Sequence, residues 1–200
     1  YVDSYIKYKG KIVESGDEAE DEDIFRVKDG DNGWYEELYE LLNPELKTFG
    51  LDSKIHELPN YCKDQTAKFQ LYKNCIISNC IRRGYRWEEH HHDLAYKYLN
   101  SESIVVEVGA HIGTLTVMLS KLSKKVYSFE PLEESYNLLN KNLQLNNCDN
   151  VVTSQKALGE KKGKIKVAYI AEGNCGATIL EGSVCEKEWN NKTDINVDLI

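Results

Sequence analysis

The stretch Val105-Val-Glu-Val-Gly-Ala-His-Ile-Gly-Thr114 (VVEVGAHIGT) places two glycines, Gly109 and Gly113, behind a short apolar run, with Glu107 two positions before the first. A strand that runs into a glycine turn and then into a helix is how an open parallel sheet holds a nucleotide-like cofactor, because ligands bind outside the carboxyl ends of its strands. Working outward, Ser103 to Val108 reads as a buried strand and Gly113 to Leu122 as a helix burying Leu115, Met118, Leu119 and Leu122. Lys125 to Glu130 reads as the next strand. Pro131 opens a second helix, with Glu133 and Glu134 in its positive first turn, ending near Asn146-Asn147. Asn150 to Ser154 predicts a third strand, Lys164 to Ile170 a fourth extended segment, and Val197 to Ile200 the start of one more. Short apolar runs alternating with amphipathic helices predict an α/β, Rossmann-like architecture after Asn100.

Two cofactors compete for such a turn. A dinucleotide wants G-x-G-x-x-G, whose second glycine lets the backbone approach the pyrophosphate. Here His111 stands at that position, and Glu107 would lie close to two negative charges in a partly desolvated cleft. S-adenosylmethionine has no phosphate and carries a positive sulfonium and a positive ammonium, so an acidic strand end before G-x-x-x-G suits it. The second strand ends in Phe129-Glu130-Pro131, which puts a carboxylate 21 residues after Gly109 at the edge of the same cleft. An acid there accepts both ribose hydroxyls, a role common to nicotinamide and S-adenosylmethionine sites. Glu130 therefore points to an adenosine ligand more firmly than it chooses between the two.

With these motifs in order, the run from Val105 to Val167 resembles the core of the FkbM-type S-adenosylmethionine-dependent methyltransferases, and Gly84-Tyr-Arg-Trp-Glu88 resembles that family's entry helix. The resemblance covers about Gly84 to Ile200. It rests on the V-G-A-x-I-G turn, on F-E-P, on the asparagine-rich end of the second helix and on the A-L-G-E-K-K-G turn. It implies a seven-stranded class I methyltransferase sheet and methylation of hydroxyl groups, on sugars or on polyketide natural products. Carried over by position, Glu107, Gly109, Ala110 and Gly113 would cradle the methionine part, and His111 sits in the cofactor turn itself. Glu130 would hold the ribose, Pro131 and Leu132 would lie beside the adenosine, Lys156 and Ala157 near the adenine, and Glu88 near cofactor or acceptor. The family usually has asparagine where His111 stands and aspartate where Glu107 stands, and it continues with further strands after V-D-L-I.

Methyl transfer to a hydroxyl is an in-line displacement, helped by alignment and by a general base. Three residues are weak candidates for catalysis: His91, His111 and Asn174. In Glu88-Glu-His-His-His-Asp93, consecutive histidines on a helix point about 100° apart and cannot converge on one ion, so no metal site is expected. His91 shares a face with Trp87, Leu94, Ala95 and Tyr98, whereas His90 and His92 are expected in solvent. Asn174 lies in the Gly/Asn loop from Ala171 to Thr178, a candidate substrate loop or an ordinary hairpin connection.

The remaining sequence sets limits. The first fifty residues hold 14 Asp and Glu against 6 Lys and Arg, and the rest hold 19 of each, so the whole formal charge of −8 lies in the first quarter. Glu14 to Asp23 reads as a solvated acidic loop. No Lys/Arg cluster is large enough to replace phosphate counterions, which excludes nucleic acid as an expected partner. No apolar run approaches the roughly 20 residues of a membrane span. The six cysteines show no C-x-x-C spacing and read as free thiols in a cytoplasmic setting. The first 100 residues are mostly helical in pattern, with helices over Trp34–Leu42, Lys73–Arg83 (capped by Gly84) and Trp87–Leu99. The expected organisation is a helical or irregular N-terminal region over residues 1–83, covering an acceptor site, and a methyltransferase core over 84–200. A start at Tyr1 suggests a piece of a larger multidomain polypeptide. The function expected is S-adenosylmethionine-dependent O-methylation of a sugar hydroxyl, such as a terminal deoxyhexose like rhamnose in a glycan. Another small-molecule hydroxyl, an NAD-dependent oxidoreductase and a non-catalytic adenosyl-binding module are the alternatives.

Overall fold

The computed structural model describes residues 7–8, 11–12, 50–171, 174–180 and 195–200. The helix expected over Trp34–Leu42 and the acidic loop Glu14–Asp23 lie outside the described residues. Two short strands, β1 (Lys7–Tyr8) and β2 (Lys11–Ile12), pair antiparallel.

The next element corrects the helical reading of the first hundred residues. Strands β3 (Leu51–Cys62) and β4 (Gln65–Tyr72) form an antiparallel hairpin. From Thr66 to Leu71, β4 alternates: Ala67, Phe69 and Leu71 are buried while Thr66 and Lys68 are exposed, the period-two signature of a half-buried strand. Strand β3 hides the same pattern, because its register shifts between Leu58 and Cys62, where Pro59 lacks an N–H and Asn60 takes φ 54.

Helix α1 (Ile76–Arg82) buries Ile76, Ile77 and Ile81. It ends as expected at Gly84, whose φ of 86 permits the closing pair of bonds, Gly84 N–H to Ile81 O and Tyr85 N–H to Cys80 O. Its Arg82 reaches back to Asp52 of β3, which also pairs with His56. The hydrogen bond from His56, then that from the Lys54 backbone N–H, holds the Asp52 carboxyl at about 2.

Helix α2 (Glu89–Tyr98) turns a different face inward from the one expected. His92 and Ala95 are its buried residues, with Tyr96 and Leu99 packed against the core, whereas Leu94 and Tyr98 are 49% and 67% exposed. The small Ala95 lets the helix approach closely, and the seam runs one position on from His91. The His92 ring stands edge-on to Tyr61 at 5.1 Å, and neither of its nitrogens has a hydrogen-bond partner among the described residues. Burial, then the Arg86 charge, depress its pKa to about 3. The unfolded chain therefore takes up a proton below its ordinary value of 6.5 while the folded one does not, so stability falls as pH drops from 6.5 towards 3. Replacing His92 with Phe is expected to remove this loss, a relative gain of about 2 to 3 kcal/mol near pH 4.5 at 1.36 kcal/mol per pKa unit. Urea titrations of both proteins at neutral and acid pH measure it, and parallel pH profiles would contradict the burial.

The parallel sheet follows. Strands β5 (Ile104–Val108), β6 (Lys125–Phe129) and β7 (Val151–Ser154) lie in the order β5-β6-β7, with Glu107 opposite Ser128 and Val126 opposite Val151. Helix α3 (Thr114–Leu122) and helix α4 (Glu133–Leu145) connect them. Val117, Met118, Leu119, Leu138, Leu139 and Leu143 join Phe69, Leu71 and Tyr61 of the hairpin in one core. Strand β5 is buried on this side alone. Ile104, Val106 and Val108 are 60 to 68% exposed on the other, which corrects the reading of a fully buried strand.

The remaining extended segments leave the parallel sheet. Strands β8 (Gly163–Ala171), β9 (Asn174–Leu180) and β10 (Asn196–Leu199) form an antiparallel sheet in the order β10-β8-β9. A parallel bridge between Ala157 and Leu199 ties it to the chain leaving β7. Its small core consists of Leu132, Ala157, Val167 and Val197. Ala171 ends β8, and Asn174 opens β9 opposite it.

Candidate cofactor site

The turn between β5 and α3 is fixed by the strand beside it. The N–H groups of Gly109 and Ala110 both donate to Phe129 O, at 2.9 and 3.0 Å, and the Gly113 N–H donates to Ala110 O. Three of its residues lie in the left-handed region, Gly109 at φ 79, His111 at φ 51 and Gly113 at φ 84. The two glycines serve different ends. A Cβ on Gly113 would stand 2.7 Å from Leu139 Cδ1, so this glycine admits helix α4. A Cβ on Gly109 would meet nothing within 4 Å, so this exposed glycine leaves open ground at the mouth of the turn.

Two buried carboxylates flank the turn. Glu130 follows β6, its N–H donating to Ser154 O, and its side chain folds back: Oε2 accepts the His111 N–H at 2.8 Å and Oε1 the Leu132 N–H at 2.9 Å. Burial pushes its pKa up, opposed by these two N–H groups. Glu107 points beneath helix α3, where its Oε2 accepts the hydroxyls of Thr116 at 2.7 Å and Ser128 at 2.8 Å. Burial raises its pKa, the two hydroxyls oppose the rise, and the charge of Glu130 adds to it. An ionised carboxylate accepts about four hydrogen bonds, so Glu130 keeps capacity for a ligand's hydroxyls. The partly buried His111 ring lies 6.1 Å from that of Tyr72, and desolvation holds its pKa at about 4.

Residues 107, 109, 110, 111, 113 and 130 thus come together around one strand end. Pro131 is half-buried beside them. Leu132 and Ala157 meet in the second core, bringing Lys156 with them. Glu88 lies at the start of α2, at φ 52, with its carboxylate 3.1 Å from Nδ1 of the half-exposed His91. Of the catalytic candidates, only His111 is held within the turn. Three contributors are unforeseen: Thr116 and Ser128, which hold Glu107, and Asn142 of α4, whose Nδ2 donates to Ile112 O at 2.8 Å. Asn142 had left a trace in the sequence, as an amide four residues after Leu138 in the apolar stripe of its helix.

The same residues carry the comparison with known proteins. Residues 107–197 match the methyltransferase FkbM domain. This segment resembles the FkbM methyltransferase family over 91 of the chain's 200 residues. No curated protein matches the chain. Among solved structures, the chain is similar to a Streptococcus mutans protein in complex with S-adenosylhomocysteine, at 32% identity over 34% of this chain and 39% of that one, with a TM-score of 0.34. An rRNA methylase from Streptococcus thermophilus matches at 31% identity over 34% and 41%, TM-score 0.33. A tRNA (m1A58) methyltransferase from Aquifex aeolicus matches at 34% identity over 34% and 29%, TM-score 0.32. The chain spans 29 to 41% of the length of these proteins.

The FkbM domain takes S-adenosylmethionine as its cofactor, and the residues here suit it. Gly109 leaves open the space a side chain would fill, the acid at the ribose position is present and buried, and no phosphate has to sit beside two carboxylates. No helix among the described residues is long and apolar enough to cross a membrane.

Proposed function

We propose that the chain is an S-adenosylmethionine-dependent O-methyltransferase acting on a sugar hydroxyl of a glycan, such as a terminal deoxyhexose. The observation that carries this reading is Glu130: a buried carboxylate, anchored through both oxygens to the amides of His111 and Leu132, at the strand end beside the open Gly109. In this reading Glu130 holds the ribose hydroxyls and the turn from Gly109 to Gly113 holds the methionine part, with Pro131, Leu132, Lys156 and Ala157 along the adenosine. The bound cofactor supplies a methyl group on a cationic sulfur. Glu107 and Glu130 keep negative charge near that cation, Glu107 from beneath the turn through Thr116 and Ser128. In this reading His111, held neutral down to about 4, would take the hydroxyl proton, while Glu88, His91 and Asn174 would serve the acceptor side.

A sugar is favoured over RNA on charge. Residues 51–200, which contain the turn, hold 19 Asp and Glu against 19 Lys and Arg with no large basic cluster, whereas binding to a polyanion draws its strength from lysines and arginines that displace counterions. Incubation with methyl-labelled S-adenosylmethionine and a panel of deoxyhexose-terminated glycans, polyketide alcohols and RNA tests the acceptor. Label is expected in the glycans; label confined to RNA or to the polyketides would overturn it.

A further inference from the structure

We infer that the β3–β4 hairpin is a positioning platform for the cofactor turn, acting through Tyr61 and Asn142; the inference rests on reading that turn as the cofactor site. Between two left-handed glycines stands the non-glycine His111 at φ 51, a conformation that costs energy and persists only where its surroundings over-determine it. Beside Phe129 O and the Glu130 carboxylate, part of those surroundings comes from the hairpin, directly at Tyr61 and through Asn142 of α4. The Tyr61 hydroxyl donates to Thr114 O at 2.6 Å. Asn142 bridges strand and turn: its Oδ1 accepts the Gln70 N–H at 2.8 Å, and its Nδ2 donates to Gln70 O at 3.1 Å and to Ile112 O at 2.8 Å. Asn142 and Tyr61 are 0% and 1% exposed, so water does not compete for these bonds. A peptide unit is planar, so fixing the Ile112 carbonyl also aims the Gly113 N–H, which closes the turn on Ala110 O. Apolar packing alone would not set that direction.

Asn146 supplies an internal comparison. One helical turn after Asn142, it grips β4 in the same manner, with Oδ1 accepting the Lys68 N–H and Nδ2 donating to Lys68 O, but its second donation goes to Asn142 O and not to the turn. Both asparagines therefore pair the edge of β4, and only Asn142 passes that contact to the cofactor turn. Tyr61 and Asn142 are positioning residues, and Asn146 is a stabilising one.

The test uses the intact protein and the variants Tyr61→Phe, Asn142→Leu and Asn146→Leu. Amide hydrogen exchange without cofactor is read over residues 109–116, S-adenosylmethionine affinity by calorimetry, and melting temperature alongside. Tyr61→Phe and Asn142→Leu are expected to speed exchange in that segment and weaken the cofactor about 3- to 10-fold, the worth of one buried hydrogen bond. Asn146→Leu is expected to lower the melting temperature while leaving both readings at the wild-type level. Tyr61→Phe removes a single oxygen and carries the test should Asn142→Leu not fold. Unchanged exchange over 109–116 in Tyr61→Phe and Asn142→Leu, or an equal rise in Asn146→Leu, would overturn the inference. Failure of the wild type to bind S-adenosylmethionine would instead sink the proposed function, since the exchange reading needs no cofactor.

Discussion

Replacing Glu130 with Ala or Gln is expected to weaken S-adenosylmethionine binding on the order of 100-fold, since hydrogen bonds to a charged acceptor contribute about 1.5 to 3 kcal/mol each. Two effects combine. The carboxylate that accepts the ribose hydroxyls is lost, and the His111 and Leu132 N–H groups lose both acceptor oxygens in Glu130→Ala and one of the two in Glu130→Gln, so the turn loosens at its centre. The wild type should show a pH signature that the variants lack. Burial raises the Glu130 pKa above its ordinary 4.5, whereas hydrogen bonds from ribose hydroxyls and a nearby cation favour the ionised form and lower it. Binding therefore releases a proton where the free carboxyl is still protonated, and affinity falls as pH drops through that raised pKa. In the variants Glu107 loses the neighbouring charge that raises its own pKa, which moves any residual dependence to lower pH. Calorimetry in buffers of different ionisation enthalpy measures both affinity and proton release. Equal affinity in wild type and Glu130→Gln would remove Glu130 from the site.

Gly113→Ala is expected to be the most destabilising single-methyl change in the turn. At φ 84 an L side chain is strained, and the new Cβ would stand 2.7 Å from Leu139 Cδ1, a fully buried side chain with little room to yield. Left-handed backbone costs roughly 1 to 2 kcal/mol and overpacking about 1 to 3, so a loss of about 2 to 4 kcal/mol, or roughly 5 to 15 °C in melting temperature, is predicted. Gly109→Ala separates the two roles. Its φ of 79 brings the same backbone strain, but its Cβ meets nothing within 4 Å. It should therefore melt closer to the wild type while losing cofactor affinity, because the methyl group fills the open mouth of the turn. Thermal melts and calorimetry on the two variants measure the split. A Gly113→Ala protein that melts with the wild type would contradict the close approach of α4.

The cofactor turn was legible because its chemistry is local. Strand, glycine turn and helix follow one another in sequence, and Glu130 recurs at the end of the very next strand, so one linear pattern contains the frame and both acids. What the pattern lacked was direction. The alternation along β5 sends Glu107 under α3 to Thr116 and Ser128, and the hydroxyls that receive it lie nine and 21 residues away. The hairpin was missed because Pro59 and a register shift break the alternation of β3, and its turn at Lys63-Asp64 lacks the usual Asn-Gly or Asp-Gly. Its β4 half, with Ala67, Phe69 and Leu71 inward, carried the readable signal. On α2 the large apolar residues Leu94 and Tyr98 suggested a face that they leave exposed, and the helix packs through Ala95 with His92 beside it. Asn142 stood out as an amide in the apolar stripe of its helix, but a buried amide acquires meaning only once the strand edge it pairs has been placed.

The most direct test of the central claim is a calorimetric titration of the intact protein with S-adenosylmethionine and, separately, with NAD. Saturable binding of S-adenosylmethionine is expected, with proton release in the range where the free Glu130 carboxyl is still protonated, and no binding of NAD, whose pyrophosphate would meet a turn where His111 replaces the middle glycine, with the Glu130 carboxylate beside it and that of Glu107 beneath it. Saturable binding of NAD, or heat with neither ligand, would contradict that claim.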